Sequence, residues 1–293
     1  MSKLYIASAY GKINLYLDVL NKMENGYHNV ESVMQSVSLC DRVTLEISDV
    51  ENADNQIEIL CSSEKIPNDK SNIVFKCATR FLEYTKTEGK RCIFTIEKNI
   101  PVAAGMAGGS ADGAAALKLL NEALGKALSQ KELCHLGATV GADIPFCIVG
   151  GTCVCRGIGE DITPIKPFKD VYLVCAIDSS SVSTPTAFSL LDQAFGTECK
   201  SSGNIYKMIN AIENNEPLNV ASALYNKFES VIIPTNKNVQ LIKNVLIESG
   251  AIGALMSGSG PSVFGLFLDE NSQKNAYCAL KNCSINAFLC KTI

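Results

Sequence analysis

Near the N-terminus apolar and polar positions alternate. Ile13, Leu15, Leu17 and Val19 interleave with Asn14, Tyr16 and Asp18, which predicts a half-buried strand. The Asn25-Gly26 dipeptide predicts a turn that displays Tyr27 and His28. Further strand patterns cover 43–47, 57–60, 92–96, 171–177, 263–268 and 287–290. The run Cys147–Cys155 also reads as strand, entered through Ala142-Asp-Ile-Pro-Phe146. Between these the period changes to that of a helix. Ser71 or Asn72 can cap a helix through Phe81 and Tyr84, and Ala116, Leu117, Leu120, Ala123 and Leu124 mark a second. A third starts at Ser129 and ends near Gly141; others cover 204–214, 217–226, 238–248 and 272–281. Strands and helices are mixed throughout, so the fold class is α+β.

At 293 residues the chain is long for one core, and two domains are the better expectation. The glycine- and proline-bearing stretch 157–167 is the natural boundary, dividing the chain into 1–162 and 163–293. With 47% hydrophobic and 19% charged residues the chain can fill a substantial core. A net charge of −4, with no basic tract, gives no reason to expect a nucleic-acid partner. The N-terminus lacks the apolar core of a signal peptide, and no apolar run approaches the roughly 20 residues that span a bilayer. No membrane partner is expected. Thirteen cysteines in irregular spacing suggest no disulfide framework, so they read as small core hydrophobes in a reducing cytoplasm. With two histidines, one of them in a helical stretch, no metal ligand set is expected.

Candidate chemistry begins at Pro101-Val-Ala-Ala-Gly-Met-Ala-Gly-Gly-Ser-Ala111, which lies between a strand and a helix N-terminus. Glycines let backbone N–H groups approach a ligand, and the first helical turn adds unpaired donors and the positive end of a dipole. That combination suits phosphate, although a tight turn capped by Ser110 or Asp112 would have the same composition. Met256-Ser-Gly-Ser-Gly260 is a second glycine turn. The Walker A pattern, the protein-kinase loop, the Gly-x-Ser-x-Gly elbow and the full dinucleotide fingerprint are all absent. Phosphoryl transfer needs a phosphate cradle, a cation and a base for the acceptor hydroxyl. Lys12 and Asp143 could supply the last two, although each alone could be a solvated charge or a turn cap.

In their order these segments resemble the three signature motifs of the GHMP kinase family, and they span almost the whole chain. Gly11-Lys-Ile-Asn14 with Gly26-Tyr-His28, Gly141-Ala-Asp-Ile-Pro-Phe146 and Gly157-Ile-Gly-Glu160 resemble those members that act on 4-diphosphocytidyl-2-C-methyl-D-erythritol. The resemblance implies an N-terminal domain like ribosomal protein S5 domain 2 and a ferredoxin-like C-terminal domain. It implies ATP with Mg²⁺ as cofactors and a cytidine diphosphate-linked small molecule as substrate. Pro101, Val102, Ala103, Ala104, Gly105, Met106, Ala107, Gly108, Gly109, Ser110 and Ala111 match the ATP phosphate loop. Asp143 matches the catalytic base and Lys12 the cation that positions the acceptor hydroxyl, with Asn14 supporting the substrate hydroxyls. Tyr27 and His28 match residues that hold the cytidine, and Phe188 the opposite face of that stack; a core aromatic is the alternative for Phe188. A monomer or weak homodimer is expected.

Two positions depart from the family pattern. Tyr10-Gly11 stands where Pro-Ala is usual, and Met106-Ala107 where Leu-Gly is usual. Met conserves the bulk of Leu, and Ala107 matters only if that position needs positive φ. Two other readings compete: a kinase of the same family acting on a mevalonate derivative, and a catalytically silent relative serving as a nucleotide-sensing or RNA-binding module. The Gly-Tyr-His turn argues against the first, because mevalonate offers no base to stack. The intact Lys12, Asp143 and glycine loops argue against the second.

Overall fold

The computed structural model describes residues 2–51, 53–125, 128–178, 183–196 and 203–293. In chain order the elements begin β1 (Lys3–Lys22), β2 (His28–Asp49), β3 (Gln56–Cys61), α1 (Ile73–Tyr84), β4 (Lys90–Glu97) and α2 (Gly108–Ala123). Next come α3 (Gln130–Ala138), α4 (Ile144–Val149), β5 (Thr152–Arg156), β6 (Asp161–Pro164), β7 (Tyr172–Ile177) and α5 (Thr184–Phe195). The chain continues with α6 (Ile205–Glu213), α7 (Pro217–Ser222), β8 (Tyr225–Asn226), α8 (Glu229–Ile232) and α9 (Lys237–Glu248). It ends with β9 (Gly253–Met256), β10 (Ser262–Phe267), α10 (Glu270–Asn282) and β11 (Asn286–Lys291). The fold is α+β, as the mixed periodicity predicts.

Two compact units share the chain discontinuously: Met1–Gly11, Cys40–Val102 and Ala107–Gly150 form the first, and the remainder the second. In the first, β4 pairs antiparallel with the C-terminal part of β2 and parallel with β3. Its helices begin as the caps predict. Asn72 Oδ1 accepts from Val74 N at the start of α1, and Ser129 forms a reciprocal capping box with Glu132 at α3. Small residues bring α2 against its neighbours: a Cβ on Gly113 would lie 2.8 Å from Ile73 and 2.9 Å from Cys77. Gly137 likewise makes room for Ile144, whose Cγ2 would be 2.6 Å from an added Cβ.

In the second unit β7 is flanked by β10 and β11, and β9 extends the antiparallel sheet beyond β10. Val174, Ala176, Val263 and Phe267 from this sheet pack with Val239, Ile242 and Leu246 of α9 and with Ala276 and Leu280 of α10. Val245 of α9 is partly buried against the same core. The N-terminal part of β2 pairs with β5, and the C-terminal part of β1 pairs in parallel with β8.

Three expectations need correction. Of the run 147–155 expected as strand, residues 147–149 end helix α4, which starts at Ile144 with Pro145 in its first turn, and only Thr152–Arg156 is strand. A short continuous apolar run does not separate a buried helix from a strand by period. The predicted helix 217–226 stops at Ser222, and Tyr225–Asn226 pairs with β1 instead. Finally, residues 12–19 are buried on both faces, including Lys12, Asn14, Tyr16 and Asp18. Their polar side chains find partners inside the unit, so alternation there records hydrogen bonding rather than contact with water.

Candidate active site

The second unit holds most of the predicted polar residues on or beside β1. Lys12 is 4% exposed, and its Nζ donates to Asn14 Oδ1 at 2.7 Å. Asn14 Nδ2 in turn donates to Ser32 Oγ at 2.8 Å, and that hydroxyl donates to the Tyr16 carbonyl at 2.7 Å. The strand period of two puts Lys12 and Asn14 on one face, and the relay through Ser32 fixes the Asn14 amide with its oxygen toward the ammonium.

The two glycine turns meet beside this pair. Lys12 N–H donates to the Met106 carbonyl at 3.0 Å, and Asn14 N–H to Ser257 Oγ at 3.2 Å. Gly105 has φ +71, and a Cβ there would stand 2.9 Å from the Ser257 carbonyl oxygen and 3.2 Å from that of Gly260. Both the positive φ and the close backbone approach require glycine. Ser262 Oγ hydrogen-bonds the Ala104 carbonyl. Asn226 braces the second turn, its Nδ2 donating to the carbonyls of Met256 at 2.7 Å and Gly258 at 2.8 Å. A Cβ on Gly258 would lie 3.7 Å from Lys12 Nζ and 3.8 Å from Asn14 Oδ1. Ser32, Asn226 and Ser257 were not singled out from the sequence, since each acquires its role only through partners distant in the chain.

The cytidine candidates lie at the far end of the β1–β2 turn. His28 is 7% exposed, and its ring stacks on Phe188 of α5 with centroids 4.5 Å apart and planes at 14°. Phe188 meets Phe228 edge-on at 5.0 Å. His28 Nε2 is 2.7 Å from Asp192 Oδ1, and Lys22 Nζ reaches Asp192 Oδ2 at 2.6 Å. Burial works against ionisation of Asp192, but the hydrogen bonds from Lys22 and His28 outweigh it and hold the carboxyl below its ordinary range. Tyr27 is 61% exposed, and the ring stacked on Phe188 is that of His28. The sequence reading missed Lys22 and Asp192, one turn of α5 beyond Phe188.

In the first unit Asp143 occupies the position before α4 with φ −81 and ψ −11. Its side chain makes no capping hydrogen bond to that helix. A Cβ on Gly141 would lie 4.0 Å from Ser110 Oγ, so Ser110 borders the turn that carries Asp143. Ala107, at the entrance to α2, adopts φ 57 and ψ 29. This departure from the glycine pattern therefore does stand where positive φ is required. Helix α2 opens with Gly108, Gly109 and Ser110 and has no side-chain cap, leaving its first N–H groups without a capping side chain.

Behind the loop, Lys98 Nζ contacts Asp41 Oδ2 and lies 2.7 Å from Asp112 Oδ2. Burial disfavours the Lys98 charge, but the two carboxylates more than compensate and raise its pKa. Burial, with Asp41 adding to it against the pull of Lys98, pushes the Asp112 carboxyl up to about 7. Elsewhere burial pushes the Cys77 thiol up to about 12 and Cys92 to about 11, which fits packed and unreactive sulfurs. Cys40, Cys61, Cys77, Cys92, Cys134, Cys175, Cys278, Cys283 and Cys290 are in no disulfide. Among those residues no helix is long and apolar enough to cross a membrane.

The family models for the GHMP kinases N terminal domain and the GHMP kinases C terminal region match residues 72–151 and 205–286. A 4-diphosphocytidyl-2-C-methyl-D-erythritol kinase of Clostridium kluyveri is 40% identical over 288 residues, covering 98% of this chain and all of its own. The enzyme of the same name from Clostridium tetani is 40% identical over 286 residues, with 97% and 99% covered. A crystal structure of 4-(cytidine 5'-diphospho)-2C-methyl-D-erythritol kinase is similar at a TM-score of 0.80 and 26% identity, covering 98% of this chain and 99% of its own. Homoserine kinase from Cytophaga hutchinsonii shares the fold at a TM-score of 0.73 and 19% identity, over 96% and 94% of the two chains. With both signature turns in place around Lys12 and Asn14, and relatives matching along the full length, the chain belongs to the GHMP kinase family.

Proposed function

We propose that this ATP-dependent kinase phosphorylates the 2-hydroxyl of 4-diphosphocytidyl-2-C-methyl-D-erythritol, a step of non-mevalonate isoprenoid synthesis. The observation that carries the reading is the seating of both glycine turns beside the buried Lys12–Asn14 pair, in a chain 40% identical to kinases named for that substrate. Backbone donors of Pro101–Ala111 hold the triphosphate. Asp143 accepts the proton of the 2-hydroxyl, and the Lys12 ammonium orients that oxygen while Asn14 fixes the ammonium. His28, Tyr27 and Phe188 take the cytidine by stacking and hydrogen bonding. The γ-phosphorus–oxygen bond to ADP breaks as the bond to the substrate oxygen forms.

The donor set suits phosphate more than a resident metal. Among the described residues no group of three or more His, Cys, Asp or Glu could hold a metal ion. Mg²⁺ would thus arrive on the triphosphate, where it neutralises charge on the transferring group. No protein ligand is assigned to it.

The proposed domains, 1–162 and 163–293, each contain one of the two family matches, residues 72–151 and 205–286. The enzyme works in the cytoplasm as a monomer or weak homodimer, on a small molecule and on neither nucleic acid nor membrane. Phosphate transfer from labelled ATP to the cytidine substrate and to mevalonate tests the central reading, with Asp143→Asn as control. Turnover of the first alone, lost in the variant, supports it; transfer to mevalonate alone overturns the substrate.

A further inference from the structure

The cluster formed by Asp41, Lys98 and Asp112 lies within the first unit, and its members are at most 5% exposed at their side chains. Asp41 Oδ1 accepts from the backbone N–H groups of Asn99 at 2.5 Å and Ile100 at 2.7 Å, the two residues that precede Pro101. Asp112 belongs to α2 and directly follows Ala111, the last residue of the loop. Lys98 therefore joins a carboxylate that grips the entry of the phosphate loop to one carried on the helix at its exit. Gly108 makes room for this: a Cβ there would stand 3.2 Å from Lys98 Nζ and 3.0 Å from Ile100 Cγ2. Asp112 Oδ1 has no hydrogen-bond partner among the described residues.

A buried ion cluster is a weak way to gain stability, because desolvation consumes most of the attraction. What it supplies is direction, through charge-assisted hydrogen bonds of fixed geometry. The apolar face of α2 already packs through Ala114, Ala115, Leu117 and Leu120, so the helix has other means of staying in place. The ammonium is engaged by two carboxylates. We propose that Asp41, Lys98 and Asp112 are positioning residues that clamp the two ends of the phosphate loop and so set its backbone donors for the nucleotide phosphates. This rests on the reading of Pro101–Ala111 as the phosphate loop.

The discriminating variants are Lys98→Met, which severs both arms, and Asp112→Leu, which severs only the arm to α2. Asp112→Asn keeps an oxygen for Lys98 and serves as the conservative rescue. Loss of a buried hydrogen bond to a charged group should raise KM for ATP and the dissociation constant of ADP by about tenfold or more. KM for the phosphoryl acceptor and the affinity for adenosine, which has no phosphate, should stay within about threefold, and Asp112→Asn should recover most of the ADP affinity. Wild-type ADP affinity in folded Asp112→Leu, or equal losses for ADP, adenosine and acceptor, would overturn the clamp. If Lys98→Met does not fold, Asp112→Leu and Asp112→Asn carry the test alone. Gly105→Ala is the control for the loop itself. Should it leave ADP binding intact, the phosphate-loop reading fails; should it weaken ADP while Asp112→Leu does not, only the clamp fails.

Discussion

The His28 ring lies flat on Phe188, with 4.5 Å between centroids, while its Nε2 meets Asp192 at 2.7 Å. A residue expected to read a base is thus held on its edge by a carboxylate and on its face by an aromatic ring. Replacing Phe188 removes that support and the surface a base would stack on. Stacking on an aromatic side chain is worth about 1–3 kcal/mol per base, so Phe188→Ala should raise KM for the cytidine substrate roughly ten- to hundredfold. KM for ATP should not change, and steady-state kinetics with each substrate varied in turn checks both statements.

Ala107 carries a second prediction. An alanine at φ 57 is strained by about 1–2 kcal/mol relative to right-handed backbone, while glycine there loses more chain entropy on folding. The balance favours glycine. Ala107→Gly should stabilise the protein by about 0.5–1 kcal/mol in urea denaturation, with phosphoryl transfer retained.

Asp143→Asn removes a proton acceptor without changing shape. Loss of general-base catalysis should lower kcat by about 10²–10⁴-fold and leave ATP affinity near wild type, measured by single-turnover transfer and by equilibrium binding. A variant that keeps full kcat would exclude Asp143 as the base.

The raised Asp112 carboxyl predicts how stability follows pH. Its ordinary value is 3.8 and its folded value about 7, so between them the native state binds more protons than the unfolded chain. The contribution is fully present below 3.8 and lost as pH rises through about 7, with a slope of at most about 1.4 kcal/mol per pH unit for one proton. Asp112→Asn cannot titrate and should lack this slope, which paired urea melts at several pH values would reveal. Parallel curves would mean that Asp112 stays ionised in the folded protein.

How legible was this in the sequence? The glycine turns and the strand before them could be read because backbone conformation is written locally, in glycines, caps and periods. Asn72 and Ser129 cap helices for the same reason. Burial of Lys12 and Asn14 could not be read, because the partners Ser32 and Ser257 lie 18 and 243 residues from Asn14. Lys98 and Asp41 are 57 residues apart and look in sequence like any solvated charges. Helix α5 escaped notice although Ser183 caps it and Pro185 stands in its first turn. Its buried residues are only Ala187 and Leu191, too few to print a period.

Lys12 touches the phosphate loop through its main chain: the hydrogen bond to the Met106 carbonyl comes from the backbone N–H, not from the ammonium. Shortening this side chain therefore deletes the charge without unfastening the loop. On the role proposed for its ammonium, a Lys12→Ala protein should be silent in chemistry while still binding nucleotide and acceptor, and so serve crystallography as a trap for the unreacted ternary complex.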